Sequence, residues 1–154
     1  MNWSPHNKGN IEQLEQVHRK AERFATGDYR QRSSPTSMIK KLGWESLETR
    51  REKYTLTLTC RIVHGFVSIP LDRYFKVASR KTRACSHSLK LTTETPACTL
   101  YQAASFFYRA PVIWNALPAE LAEAPSLAAF KSRLAKHELP KPMPLQYVRG
   151  LRQR

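Results

Sequence analysis

The stretch RAPVIWNALPAELAEAPSLAAFKSRL, residues 109–134, decides the fold of this chain. Proline is tolerated in the first turn of a helix and disrupts a helix interior, so the prolines divide this stretch into short helical pieces. We therefore expect Pro111 to open a helical turn that contains Trp114, and Pro118 to open the next. Pro125-Ser126 caps a last helix, whose apolar positions are Leu127, Phe130 and Leu134.

Two amphipathic helices are predicted near the N-terminus. Between Asn10 and Ala25 the apolar residues recur in steps of three and four, and Gly27 follows as a stop. A second helix begins near Ser34, with Pro35 in its first turn, and ends at Gly43. The predicted apolar positions are Ile11, Leu14, Val17, Ala21 and Phe24 in the first helix and Met38, Ile39 and Leu42 in the second.

The segment from Ser46 to His64 allows two interpretations. Apolar residues that alternate with threonines from Tyr54 onward indicate a strand. A helix places Ser46 at its N-cap, Gly65 at its stop, and on one face Leu47, Tyr54, Leu58 and Ile62. We favour the helix, because residues 45–53 are strong helix formers and no turn signal precedes Gly65.

Residues 69–96 lose this periodicity and read as a loop, with one candidate short strand at Ser88–Thr92. Leu100–Tyr108 fits either a strand or a helix. The predicted fold is mainly α: one small helical domain, residues 1–138, with a basic loop and at most one short β-hairpin. The domain comprises helical parts at 9–66 and 100–138 and a basic loop region at 67–99. We expect the first three helices to pack with Trp114–Leu134. A disordered basic tail at 139–154 follows the domain.

The charge of the chain indicates a polyanionic partner. Lys and Arg total 26 against 12 Asp and Glu, which gives a formal net charge of +14 and a pI of about 10.2. Such an excess is unfavourable through self-repulsion unless a polyanion lies nearby, and nucleic acid is the leading candidate. No apolar run is long enough to cross a bilayer and no leader is recognisable, so we expect no membrane partner and a location in the nucleus or cytoplasm.

Catalytic and cofactor chemistry find little support in the sequence. Two-metal polymerases and nucleases need converging carboxylates, but the aspartates are only Asp28 and Asp72, each in a basic neighbourhood. No glycine-rich phosphate loop exists. Cys60 with His64, and Cys85 with His87, are weak zinc half-sites, and a core cysteine beside a helix-end histidine is the better interpretation of the first pair. We expect no cofactor, no metal and no enzymatic activity of this chain, and Trp3, Trp44 and Trp114 to be core anchors.

The clusters of basic residues are the one feature of the sequence that indicates a function. Residues 73–90 contain six Lys and Arg and no acidic residue, whereas ordinary solvated faces interleave both signs. Tyr74, Phe75 and His87 lie within this loop and add candidate stacking groups for single-stranded or RNA ligands. The phosphate contacts that we predict are Arg50, Arg51, Lys53, Arg80, Lys81, Arg83 and Lys90.

An ordered series of blocks resembles one family. The blocks are WSP (3–5), IEQLEQVHRKAERFATGDY (11–29), SMIKKLGWESLETRR (37–51), RIVHG (61–65), SRKTR (79–83), HSLKL (87–91), SFF (105–107) and WNALPAELAEAPSLAAFKSRL (114–134). Together they resemble the C-terminal region, downstream of the polymerase domain, of reverse transcriptases from LINE-type (non-LTR) retrotransposons of the Jockey and CR1-like kind.

The resemblance implies a function and an origin. Proteins of this family carry an endonuclease and an RNA-directed DNA polymerase, whose catalytic carboxylates lie upstream of the matched region, so no catalytic residue carries over to this chain. We expect a non-catalytic extension that binds RNA or an RNA/DNA hybrid, encoded by a truncated element copy. The alternative is a structural module that docks on the parent polymerase domain without binding free nucleic acid.

Overall fold

The computed structural model describes Pro5 and residues 7–29, 34–78, 87–92, 102 and 104–139. In these residues the chain is mainly α, with seven helices and one short antiparallel hairpin, which confirms the predicted fold class. The chain divides into two compact units, one that runs to Arg51 and one that begins at Glu52. The predicted disordered tail, apart from its first residue Leu139, lies outside the described residues.

The first unit contains α1 (Lys8–Thr26), α2 (Pro35–Leu42) and the beginning of α3 (Leu47–Val63). The Asn7 side chain accepts a hydrogen bond from the backbone N–H of Gly9 at 2.9 Å and so caps the start of α1. Gly27 and Gly43, at φ of 65° and 62°, end α1 and α2 in the left-handed region that favours glycine. Both predicted stops are confirmed.

The predicted apolar face of α1 is only partly correct. Val17 and Phe24 are 65% and 80% exposed, whereas His18 and Glu22 are buried. His18 Nδ1 lies 2.8 Å from Glu22 Oε1, and the His18 ring stacks on Trp44 with centroids 5.7 Å apart. The two side chains lie one helical turn apart and contact each other, but His18 Nε2 and Glu22 Oε2 have no hydrogen-bond partner among the described residues. Val17 precedes His18 by one residue, which is about 100° around the helix, and so it faces solvent.

The helical interpretation of residues 46–64 is confirmed, since α3 runs without a break from Leu47 to Val63. Ser46 Oγ accepts a hydrogen bond from the Thr49 N–H at 3.1 Å, as an N-cap does. The threonines fit the helix because their hydroxyls donate to carbonyls one turn earlier, as Thr59 Oγ1 does to the Thr55 oxygen at 2.8 Å. Their alternation therefore reflects no strand.

The face that α3 buries differs from the predicted one. The helical pattern predicts Tyr54 on the apolar face, but Tyr54 is 73% exposed. The buried face includes Leu56 and Cys60, one helical turn apart, and Tyr54 precedes Leu56 by two residues, about 200° around the helix, so it faces solvent. The buried positions are Glu52, Thr55, Leu56, Thr59, Cys60 and Ile62.

The second unit continues along α3 and then contains α4 (Leu71–Tyr74), β1 (Lys76–Val77), β2 (Leu91–Thr92), α5 (Phe106–Asn115), α6 (Ala119–Ala122) and α7 (Leu127–Lys136). Helix α4 is a single turn that the sequence did not predict. The candidate strand at 88–92 exists as β2, shortened to its last two residues. Within the segment 100–108, for which the sequence fits either a strand or a helix, the structure describes residues 102 and 104–108, and the last three of these begin α5 at Phe106.

Pro111 does not open a helix, which corrects the prediction. It lies inside α5, five residues after the helix begins at Phe106. Proline at this position lacks the N–H that would reach the carbonyl of Phe107, so it removes one hydrogen bond of the helix. The predictions for the other two prolines hold: Pro118 precedes α6, and Ser126 Oγ caps α7 by accepting from the Ala129 N–H at 3.2 Å.

The core of the second unit is centred on Trp114, which is fully buried. Its ring lies 6.0 Å from that of Phe130 in α7, and α3 contributes Leu56, Cys60 and Ile62 to the same cluster. The third helix therefore packs with the 114–134 segment, as predicted. The remaining buried members of the cluster are Phe75, Leu91, Ala110, Leu117, Leu121, Ala122, Ala124 and Leu134.

Candidate nucleic-acid interface

The basic loop begins and ends at the hairpin of the second unit. Strands β1 and β2 pair antiparallel, with Lys76 opposite Thr92 and Val77 opposite Leu91. The ladder continues one residue toward the loop, where the Ala78 N–H donates to the Lys90 carbonyl at 2.8 Å. Residues 79–89 connect these paired positions. The hairpin therefore fixes both ends of the acid-free segment.

The Asn115 side chain holds β2 to the end of α5. Its Nδ2 donates to the Leu91 carbonyl at 2.8 Å, and its Oδ1 accepts from the Leu91 N–H at 2.9 Å. In an antiparallel ladder alternate residues turn their backbone polar groups away from the partner strand. Because Lys90 is paired with β1, the polar groups of Leu91 point away from β1, and the amide of Asn115 satisfies both of them.

Further contacts fix the segment that leads into β2. Trp114 Nε1 donates to the Leu89 carbonyl at 2.7 Å, and His87 Nε2 lies 3.1 Å from the Trp114 carbonyl. The N–H and hydroxyl of Ser88 both donate to Glu123 Oε1, at 2.9 and 2.6 Å. Residues 87–91 are thus bound to α5 and to the end of α6 through side-chain hydrogen bonds. The position at which the basic loop joins the core is therefore fixed by these hydrogen bonds.

Lys76 and Lys90 lie on the same face of the hairpin. Residues opposite each other in a ladder share a face, and so do residues two apart on one strand. Lys76 therefore shares a face with Ala78, and Ala78 is opposite Lys90. The other face carries Leu91, which is buried in the core. The two lysines consequently lie on the side of the hairpin that faces away from the core, and Lys76 is exposed.

Of the three predicted stacking groups, only Tyr74 reaches solvent. Phe75 is 1% exposed and His87 5%, so neither is available to a base, which corrects that part of the prediction. Tyr74 is 37% exposed, and its ring stacks on Phe107 with centroids 4.4 Å apart and planes 13° apart. The Arg73 guanidinium carbon lies 5.7 Å from the Tyr74 ring centroid, within the range of a cation–π contact.

The predicted phosphate contacts differ in their surroundings. Arg50 is exposed, whereas Arg51 is half-buried and its guanidinium lies 4.0 Å from Glu15 Oε1, which partly neutralises its charge. Lys53 Nζ lies 3.5 Å from the Ala135 carbonyl. Lys90 lies on the hairpin face described above. The other three predicted contacts, Arg80, Lys81 and Arg83, lie outside the described residues.

Sequence reasoning did not select Arg73 and Lys76 as contacts, although both lie in the acid-free segment. The strand register places Lys76 on the same face of the hairpin as Lys90, and Arg73 and Tyr74 both lie in the one-turn helix α4. The spacing between Lys76 and Lys90 in the sequence gives no sign of their common face, because it depends on the length of the connecting loop. Phe107, which supports the Tyr74 ring, lies more than thirty residues further along the chain.

Cys60 lies in the core of the second unit, and His64 is half-buried at the edge of that core. Cys60 is 1% exposed, and burial raises the pKa of its thiol from 9.0 to about 11, so the thiol stays protonated at neutral pH. His64 Nε2 lies 3.3 Å from the Ala122 carbonyl. Among the described residues no three His, Cys, Asp or Glu side chains are grouped as metal ligands would be. Cys85, the partner proposed for His87, is outside these residues.

Comparison of the chain with protein-family models, with curated proteins and with solved structures finds no match. In the described part of the chain no helix combines the length and apolar character needed to cross a membrane. The functional interpretation therefore depends on the residues and contacts of this chain.

Proposed function

We propose that this chain is a non-catalytic nucleic-acid-binding module, the C-terminal extension of a reverse transcriptase from a non-LTR retrotransposon. Its ligand is RNA or an RNA/DNA hybrid. The observation that carries the proposal is the hairpin: Lys76 and Lys90 share its outer face and flank an acid-free segment that contains Arg80, Lys81 and Arg83.

Two properties of this surface suit a phosphate backbone. Its cations are concentrated in a segment without carboxylates, so they act together on a polyanion. Strand β2 and the residues before it are held to α5 by the paired hydrogen bonds of Asn115 and by the bond from Trp114 to Leu89. This part of the chain therefore loses less conformational freedom when nucleic acid binds. Contacts of lysine and arginine with phosphates provide affinity that depends on salt and is largely independent of sequence.

The experiment is fluorescence anisotropy with labelled RNA and labelled RNA/DNA hybrid over a range of salt concentrations. The affinity should fall steeply between about 50 and 200 mM salt, with a slope that reflects several released counterions. Replacing Arg80, Lys81 and Arg83 together by Ala should weaken the binding of all sequences alike. Binding that is absent, or that does not respond to salt, contradicts the proposal.

The hairpin lysines are tested by a second variant with a matched control. Lys76→Gln with Lys90→Gln keeps most of each side chain and should lower the salt slope by about two, roughly one for each lost phosphate contact. Arg19→Gln with Lys20→Gln removes the same charge from exposed positions of α1 in the first unit. If both double variants lose the same affinity, net charge accounts for binding and the hairpin has no special role.

The alternative function, docking on the parent polymerase domain, is favoured by one observation. Helix α1 exposes Val17 and Phe24, which lie seven residues apart on one side of the helix, and Ala21 between them is exposed as well. Exposed apolar stripes of this kind are typical of protein contacts. Binding to a purified polymerase domain, sensitive to Phe24→Ser and without affinity for free RNA, would favour this alternative.

A further inference from the structure

Tyr74 and Arg73 form a supported aromatic and cationic surface beside the basic hairpin, and we propose that it stacks an unpaired nucleobase. The proposal rests on the proposed function and adds to it a class of ligand, namely nucleic acid with unpaired bases. It follows that this module prefers single-stranded segments to continuous duplex, whose bases are already stacked on each other and shielded from side chains.

The Tyr74 ring is held in place from behind. Its parallel contact with Phe107, at 4.4 Å, belongs to a cluster in which Phe107 also contacts Phe106 at 5.3 Å and Phe75 at 5.8 Å between ring centroids. Phe75 is buried in the core, so the cluster connects the Tyr74 ring to the interior of the unit. A ring fixed in this way loses little conformational freedom when a base stacks on it.

The same ring remains open to solvent and carries a cation at its side. Tyr74 is 37% exposed and Arg73 is exposed, with its guanidinium 5.7 Å from the ring centroid. Aromatic rings and guanidinium planes are the two kinds of surface on which proteins stack unpaired bases. Tyr54 is more exposed, at 73%, but among the described residues no ring contact supports it as Phe107 supports Tyr74.

Position along the chain places this surface next to phosphate-binding groups. Tyr74 ends α4, and Lys76, two residues later, begins the strand whose outer face also carries Lys90. A strand of nucleic acid that contacts the two lysines through its phosphates therefore has the Tyr74 ring close to its bases. Phosphate contacts give the strand its affinity, and the ring distinguishes bases from a bare backbone.

The test uses the full chain and two oligomers of equal length and charge, oligo(U) and an abasic ribose-phosphate oligomer, with anisotropy as the readout. Wild-type protein should bind oligo(U) about 5- to 150-fold more tightly, since one stacked base contributes roughly 1–3 kcal/mol. Tyr74→Ala should abolish this ratio and leave the abasic affinity unchanged, whereas Tyr74→Phe should keep it. Tyr54→Ala, which removes an unsupported tyrosine, should also keep the ratio.

The outcomes separate this inference from the proposed function. Salt-dependent binding of both oligomers with equal affinity, or a Tyr74→Ala variant that weakens both alike, overturns base stacking and leaves phosphate binding standing. Binding of neither oligomer overturns both proposals. Far-ultraviolet circular dichroism shows whether Tyr74→Ala is folded, and if it is not, the oligomer ratio of Arg73→Gln decides: stacking predicts a reduced ratio, and an unchanged ratio contradicts it.

Discussion

Replacing Asn115 by Ala should detach β2 from the end of α5 and destabilise the second unit. The Asn115 amide satisfies both polar backbone groups of Leu91, with donor–acceptor distances of 2.8 and 2.9 Å. Leu91 is 1% exposed, so these groups have little access to water once the amide is gone. A buried backbone group that loses its partner costs about 1–3 kcal/mol, and partial hydration lowers the sum for the two groups to about 2–4 kcal/mol.

Equilibrium urea denaturation followed by circular dichroism measures this loss, and hydrogen exchange of the Leu91 amide locates it. Asn115→Asp keeps the acceptor for the N–H but sets a carboxylate against the Leu91 carbonyl, so it should also be destabilising. Asn10→Ala at an exposed position of α1 is the matched control and should change stability by less than about 0.5 kcal/mol. A loss below about 0.5 kcal/mol for Asn115→Ala, with no faster exchange at Leu91, would refute the assigned role.

Three further predictions concern caps and the core. Ser126→Ala removes the N-cap of α7 and should cost about 1 kcal/mol in urea denaturation, whereas Ser132→Ala, exposed within the same helix, should be nearly neutral. Gly27→Ala, at φ 65°, should lower the melting temperature. Gly9→Ala, where an added Cβ lies 3.5 Å from Asn7 Oδ1, should raise the melting temperature or leave it unchanged. A melting temperature lowered by both variants would contradict the assigned caps. Folding raises the pKa of Cys60 from 9.0 to about 11, so the thiol of the unfolded chain ionises first. The thiol's contribution to the free energy of unfolding is therefore fully present below pH 9.0 and is lost as the pH rises toward 11. Cys60→Ala should show a smaller fall in stability between pH 8 and 10, and an equal fall would argue against burial of the thiol.

Local signals predict several of the helix ends correctly, although they miss α4 and misplace Pro111. The left-handed glycines at 27, 43 and 65 lie where the sequence places the helix ends, and Ser46 and Ser126 cap the helices that they were expected to cap. These signals act within one helical turn, through backbone conformation and side-chain hydrogen bonds. Neighbours distant in the sequence have little influence on them.

Burial within each helix is harder to predict, because it depends on which elements meet. His18 and Glu22 are polar and buried, whereas Val17 and Phe24 on the same helix are apolar and exposed. The His18 ring stacks on Trp44, and the two residues are distant in sequence: His18 lies in α1, and Trp44 lies between α2 and α3. Hydrophobic periodicity carries no information about such a contact.

The candidate interface likewise combines a feature that the sequence predicts with features that depend on tertiary contacts. Composition alone identified the acid-free segment, because the count of charges needs no structure. The common face of Lys76 and Lys90 depends on the strand register, and the support of Tyr74 depends on Phe107. Both depend on tertiary contacts, so Tyr74, Phe75 and His87 are equivalent candidates for stacking in the sequence, whereas in the structure burial leaves only Tyr74 accessible.

The most direct measurement compares the salt dependence of RNA binding in the wild-type chain and in the variant Lys76→Gln with Lys90→Gln. Nucleic-acid binding through the hairpin predicts an affinity that falls steeply with salt, and a slope shallower by about two in the variant. No binding of RNA at about 50 mM salt, or identical slopes in the two proteins, would contradict it.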